Sequence, residues 1–355
     1  MDSYYDQAHI LTALHPRTQH VVLIGDHQQL RPSTAVYRLS KQFHLDVSLF
    51  ERLIHNGASH VTLLQQRRMH PKISRLIKPY YPQLRDHSST ERYPEIRGIN
   101  ARSYFMTHCH FEDDEGESHS HLNTFEANFV SALCAHLVSC GYEESQITVL
   151  SPYLGQVRLL KKKIQRDPTT QKIAVTAVDN FQGEENDIIV ISLVRSNRAR
   201  QMGFLAVENR INVALTRARH GIFIVGNADM LEKHTLWSQI LQELRSDQCF
   251  SDAMPIVDRE QKGVYEVRSA DEISVFLDSK VHETGGEGMV TMDEYKRSLE
   301  AKRSKGASRR GKGDQAARRP DSGKGTASSS DWRGRPHDHA LRFKHGGKAF
   351  WGERR

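Results

Sequence analysis

Short apolar runs bounded by polar turns alternate along this chain with stretches whose apolar residues recur at helical spacing. The runs fall at 21–24, 61–64, 147–150, 173–178, 188–194 and 222–225. Each is short, rich in β-branched residues and closed by polar groups, the pattern of a buried strand. Helical spacing is read around 8–14, at 45–54, at 157–166 and at 236–244. Another helix follows Asn123, which has the form of an N-cap with Glu126 as its N3 partner. Its apolar face carries Phe125, Phe129, Val130, Leu133, Leu137 and Val138. Between about 20 and 245 this alternation predicts an α/β fold: a mainly parallel sheet with helices on both faces. Residues 80–119 read as irregular, with an acidic cluster at 112–117.

After about residue 246 the pattern fades, and 264–277 holds what order remains. From 285 onward Gly, Ser, Lys and Arg dominate. Such a composition cannot bury enough apolar area to offset chain entropy, so a disordered tail is expected. The 37% hydrophobic content agrees with a partly unfolded chain. Charge divides at the same place. Residues 296–355 hold 18 Lys+Arg against 6 Asp+Glu, and the rest holds 32 basic against 37 acidic residues. The net +7 therefore belongs to the tail, and the folded part gives no charge argument for nucleic acid. The tail suits phosphate binding without sequence preference, and equally a solubilising or import role.

Four cysteines, Cys109, Cys134, Cys140 and Cys249, form no CxxC pair, so neither a disulfide framework nor a tetra-cysteine zinc site is indicated. An intracellular setting, nuclear or cytoplasmic, fits. No apolar run is long enough to span a membrane. Cys109, His110, His119 and His121 match no standard ligand spacing, so no metal site is expected.

Candidate chemistry lies at strand ends. Asp26 and Gln29 follow the 21–24 run, where a carboxylate and an amide suit a metal-bound phosphate and its attacking water; a polar turn is the plain alternative. Arg67 and Arg68 follow the 61–64 run and suit bidentate phosphate contact, or a solvated basic turn. Arg217 and Arg219 lead into the 222–225 run. Ligands of open α/β sheets sit at the carboxyl ends of strands, and these arginines are expected within reach of that edge.

These strings carry a resemblance. Gly25-Asp26-His27-Gln28-Gln29-Leu30-Arg31-Pro32 resembles motif III of superfamily 1 helicases, and Arg68-Met69-His70-Pro71 resembles motif IV. Ser120-His121-Leu122-Asn123 and Ser151-Pro152-Tyr153 are similar to segments between motifs IV and V. Asp179-Asn180-Phe181-Gln182-Gly183-Glu184-Glu185-Asn186-Asp187 resembles motif V, and 212–219 resembles motif VI. Six strings in the family's order cover about 7–245. The subgroup is similar to the Upf-like RNA helicases, most of all to NFX-type zinc-finger-containing helicases, a group associated with RNA surveillance and small-RNA-linked silencing.

The resemblance implies two RecA-like domains (P-loop NTPase-type) that sandwich ATP with magnesium and move along single-stranded RNA, with DNA as the other substrate. Residues 1–66 would be the end of the first domain, 67–245 the second, 246–284 a weakly ordered extension and 285–355 the tail. Gln29, Arg68 and Arg217 would be catalytic, Gln29 at the γ-phosphate and the arginines as fingers that meet charge spread over its oxygens. Asp26, Arg67, Gln182, Gly183 and Glu185 would bind nucleotide, Glu185 at the sugar and Arg67 where relatives often stack an aromatic on adenine. Tyr153 and Thr176 would face the RNA. Proteins of RNA silencing or surveillance are the implied partners.

Two family features are missing from these residues: no GxxxxGK[ST] occurs, and no motif II Asp-Glu pair precedes Gly25. The chain is expected to begin inside the first domain, to expose apolar surface at 1–66, and to be inactive alone. The alternative is a non-catalytic RNA-binding or scaffold module descended from such a helicase.

Overall fold

The computed structural model describes residues 7–32, 37–113, 120–257, 263–275 and 277. The expected tail, 285–355, and His119 lie outside the described residues. In chain order the helices are α1 (Gln7–Ala13), α2 (Tyr37–Phe43), α3 (Leu49–His55), α4 (Pro71–Ser74), α5 (Thr124–Ser139), α6 (Leu154–Ile164), α7 (Glu208–Leu215), α8 (Ala228–Leu231), α9 (Thr235–Ser246) and α10 (Ala270–Ser274). The strands are β1 (Gln65–Gln66), β2 (Arg85–Asp86), β3 (Ser103–Thr107), β4 (Ile147–Ser151), β5 (Ala174–Ala177), β6 (Asn186–Ser192), β7 (Ala218–Gly226), β8 (Phe250–Ser251), β9 (Met254–Val257) and β10 (Val264–Val267).

Six strands build the sheet that organises the molecule, in the order β5-β4-β6-β7-β3-β8, with every neighbouring pair parallel. The period of two along each strand sorts its side chains. Phe105, Leu150, Ile189, Ile191, Ile222 and Ile224 enter one core with Ile73, Leu76 and Ile77 and with Trp237, Ile240, Leu241 and Leu244 of α9. The alternating residues Ile188, Val190 and Phe223 are as fully buried, on the face that α5 and α6 cover. Full burial of the four α9 side chains contributes roughly 6–12 kcal/mol. The N-cap read at Asn123 is present: its Oδ1 accepts from the Glu126 amide at 3.1 Å. No helix among the described residues is long and apolar enough to cross a membrane.

Three expectations are corrected. The runs at 21–24 and 61–64 form no strand, and Val22, Ile24, Val61 and Leu63 are 75–91% exposed. A β-branched run becomes a strand only against a neighbour that continues a ladder along it and covers its faces, and no strand is paired along these two runs among the described residues. Exposed apolar side chains are thus present among the described residues of 1–66. Second, the irregular stretch contains β3, the strand between β7 and the edge strand β8, whose Ser103–Met106 side chains are buried. Its Ser-Tyr-Phe-Met-Thr sequence gives no alternation, and β7 and β8 define it through pairing. Third, order continues past residue 246: β8 joins the sheet edge, and β9 and β10 pair antiparallel with Met254 and Ile256 fully buried.

Candidate functional site

The parallel sheet has two rims, and functional candidates collect on both. Arg217 immediately precedes β7, and Glu184 and Glu185 immediately precede β6. They therefore lie at the amino ends of those strands, and the expectation of a carboxyl-edge location for Arg217 and Arg219 is corrected. Only residues that follow a strand reach the carboxyl rim of a parallel sheet; residues that lead into one cannot.

Arg217 is 1% exposed. Its Nε donates to the Val213 carbonyl at 2.8 Å, one terminal nitrogen to Glu184 O at 3.2 Å, and the other to Thr216 Oγ1 at 2.6 Å and Gln29 Oε1 at 3.5 Å. Burial, and then the charge of Arg68 beside it, lower this guanidinium to about 10, so it stays cationic at neutral pH. Arg68 donates to Glu185 and, at 3.1 Å, to the Thr216 carbonyl. Arg219 approaches the same Glu185 carboxylate at 3.8 Å and Asp187 at 3.4 Å.

Gln29 arrives from 188 residues away on a loop pinned at every step. Asp26 accepts from the Gln28 amide, from Gln29 Nε2 at 3.0 Å and from the Tyr81 hydroxyl at 2.5 Å. Burial first, and then the Asp26 carboxylate, push the Tyr81 phenol up and keep it a donor. Asn212 Nδ2 donates to the Gln28 carbonyl, Asn209 Nδ2 to the His27 and Gln29 carbonyls, and Gln28 Nε2 to the Tyr80 carbonyl. Tyr81 and Asn209 were not legible as site residues, because what they hold is remote in sequence.

On the carboxyl rim, Glu126 is fully buried. It accepts from Ser192 Oγ at 2.6 Å, from the Val194 amide at 2.9 and 3.1 Å, and pairs with His108 Nε2 at 3.0 Å. Val194 has φ +72°, and the Arg195 amide bonds back to the Leu193 carbonyl at 2.8 Å. That is a γ-turn with a β-branched residue in the left-handed region, a conformation that costs about 1–2 kcal/mol. Asn123 Nδ2 clamps the Val194 carbonyl from the other side at 3.3 Å. Beyond the turn, Arg195 Nε donates to Glu112 at 2.9 Å, and its guanidinium meets His121 Nε2 at 3.0 Å.

The predicted residues fall into two groups. Gln29, Asp26, Arg68, Arg217 and Glu185 are brought together. Gln182 carries a buried Oε1 with no hydrogen-bond partner among the described residues, and Gly183 takes φ +89°, which only glycine adopts readily. Arg67 is exposed beside this cluster, its carbonyl 3.4 Å from the Tyr93 hydroxyl. Tyr153 and Thr176 lie on the opposite rim. Tyr153 is 5% exposed and stacks on Phe204 at 5.3 Å, while Phe204 is 45% exposed; Thr176 is half-buried on β5. Phe204 and Arg210, whose guanidinium lies 4.1 Å over the Phe204 ring and which pairs with Asp179, went unread.

Guanidinium forks and a glutamine amide suit the phosphate end of a nucleotide, whereas the buried Gln182 Oε1, an acceptor, suits a donor such as a hydroxyl. The magnesium side has no such fit: the Asp26 oxygens are occupied by neighbouring donors, and no group of three His, Cys, Asp or Glu among the described residues could hold a metal.

The AAA domain family matches residues 45–229. The chain is 47% identical over 242 residues to the mouse "NFX1-type zinc finger-containing protein 1", covering 68% of this chain and 13% of that protein. It is 40% identical over 244 residues to the fission yeast (Schizosaccharomyces pombe) "Helicase required for RNAi-mediated heterochromatin assembly 1", covering 67% and 24%. Against the Arabidopsis thaliana "Regulator of nonsense transcripts 1 homolog" it is 33% identical over 288 residues, covering 78% and 23%. The chain thus spans about an eighth to a quarter of the length of these relatives.

Proposed function

Since this chain belongs to the AAA domain family, within the Upf-like superfamily 1 helicases, we propose that it is the strand-gripping, arginine-supplying part of an ATP-driven RNA translocase. The observation that carries this reading is the convergence of Gln29, Arg68 and Arg217 at one rim of the sheet. When bound, ATP supplies the phosphoanhydride bond whose hydrolysis drives movement. Arg68 and Arg217 hold the terminal phosphate, where a planar, charged fork meets two oxygens at once. Glu185, now paired with Arg68, takes a sugar hydroxyl instead, and Gln29 contacts the γ-phosphate and links it to movement along the RNA. In this reading residues 1–66 belong to the first RecA-like domain and 67–245 to the second, with β8 added to its sheet.

The carboxyl rim would carry the single strand. Phe204, His110 and Phe111 are exposed aromatics along it, and Arg198 and Arg200 are exposed cations. Base stacking beside basic side chains is how unpaired strands are held without sequence preference. The names of the relatives support a role in RNA silencing or in the regulation of nonsense transcripts.

The 355 residues contain no GxxxxGK[ST], so this chain alone is expected to bind single-stranded RNA without hydrolysing ATP. The test measures RNA binding and RNA-stimulated phosphate release with the purified chain. Turnover that disappears in Arg217→Ala would refute the inactivity. Absence of any RNA binding would refute the strand-gripping role.

A further inference from the structure

We propose that His110, lying flat on Phe125 at the carboxyl rim, is the seat for one unpaired base of a single-stranded RNA. This rests on the strand-binding reading of that rim and names a contact within it. The His110 and Phe125 rings are 3.8 Å apart at 21°, and Phe125 in turn stacks over the buried Phe129 at 6.5 Å and 27°. The three rings step from the core to the surface, and the outermost is exposed.

The seat is preorganised. The His110 amide donates to His108 Nδ1 at 3.2 Å, and its carbonyl accepts from Asn123 Nδ2 at 3.2 Å. The next stretch is tied down by the Glu112 amide, which donates to the Ser196 carbonyl at 2.8 Å. Rigid aromatic surface binds a base with little ordering cost. Burial, and then neighbouring His108, lower the His110 imidazole from its ordinary value, which favours the neutral ring at neutral pH.

Beside the seat, Phe111 is 55% exposed and Arg198 lies 5.7 Å over its ring. That guanidinium suits a phosphate on the same strand. The nearby described acids are turned inward: Glu112 binds Arg195 and the Ser196 amide, and Asp113 binds the Thr124 amide and hydroxyl. The plainer account is that His110 only shields Phe125 from water. It predicts no contact with nucleic acid, which separates the two.

The test uses the full chain and a fluorescent RNA of about 12 nucleotides carrying 5-iodouridine, at about 200 mM salt to suppress phosphate-only binding by the basic tail. Photocrosslinks are expected in the peptides holding His110 and Phe125. Affinity is expected to fall about tenfold in His110→Ala and in Phe125→Leu, and to stay within about twofold in His110→Tyr, which keeps a stacking ring. Wild-type binding with unchanged affinity in both loss variants overturns the seat and leaves the strand-binding reading standing, whereas crosslinks confined to 296–355 overturn both. No binding by the wild-type chain overturns both.

Discussion

Replacing Glu126 by glutamine isolates what the buried carboxylate does, because shape and volume are kept. Three donors converge on Glu126: the Val194 amide, the Ser192 hydroxyl and His108 Nε2. A carboxylate meets all three with acceptors, whereas an amide offers one oxygen and two hydrogens. The Ser192 hydroxyl can turn, although it already accepts from Gln156 Nε2 at 2.8 Å. The other two donors then compete for one oxygen. One orphaned buried donor costs about 1–3 kcal/mol, and losing a charged acceptor weakens the bonds that remain. The sum is about 2–4 kcal/mol, and the γ-turn at Val194 loses the group that holds its strained amide. Urea unfolding followed by circular dichroism should show a lower midpoint at unchanged slope. A drop in Tm of roughly 5–15 °C should accompany it. Glu232→Gln, at a surface pair with Arg245, is the control and should move stability by less than about 0.5 kcal/mol. A Glu126→Gln midpoint indistinguishable from that control would refute the account of the clamp.

His70 gives a pH prediction. Burial, and then nearby Arg102, lower its imidazole to about 4, and its Nδ1 accepts from the Lys72 amide at the start of α4. From its ordinary value near 6.5 down to about 4, the unfolded chain takes up a proton that the native chain refuses. Stability from this group is therefore full above that window and is lost as pH falls through it. His70→Asn, which caps without titrating, should flatten that part of a Tm-versus-pH curve; an unchanged slope would count against the assignment. Gly155 has no room for a side chain, since a Cβ would lie 2.7 Å from the Ser120 carbonyl oxygen and 2.9 Å from that of His121. Gly155→Ala should lose about 1–3 kcal/mol in urea unfolding, and a neutral result would mean the 120–123 segment yields freely. Arg217→Lys keeps the charge but not the fork that reaches Val213, Glu184 and Gln29. It should lose about 2–3 kcal/mol by the same measurement, whereas Arg268→Lys at an exposed pair should lose almost nothing.

Much of this protein was determined by local sequence. The runs at β4, β5, β6 and β7 announce themselves as short β-branched stretches closed by polar groups, and the face of α5 by its helical period. Asn123 reads as a cap because a cap is a bond to a residue three positions away. The arginine-bearing strings likewise name their chemistry through residue type and order. Tertiary structure decided everything that depends on a distant neighbour. The runs at 21–24 and 61–64 have the composition of strands and form none, whereas Ser103–Thr107 lacks the pattern and becomes one between β7 and β8. The rim on which Arg217 stands follows from its place just before β7, but its meeting there with Gln29 and Arg68 joins segments that no local window contains. Glu126 looked like the partner of a helix cap and proved to be the clamp of a γ-turn nearly 70 residues on. Local propensity is a property of a segment, while burial, pairing and the satisfaction of a buried charge are properties of pairs that only folding creates.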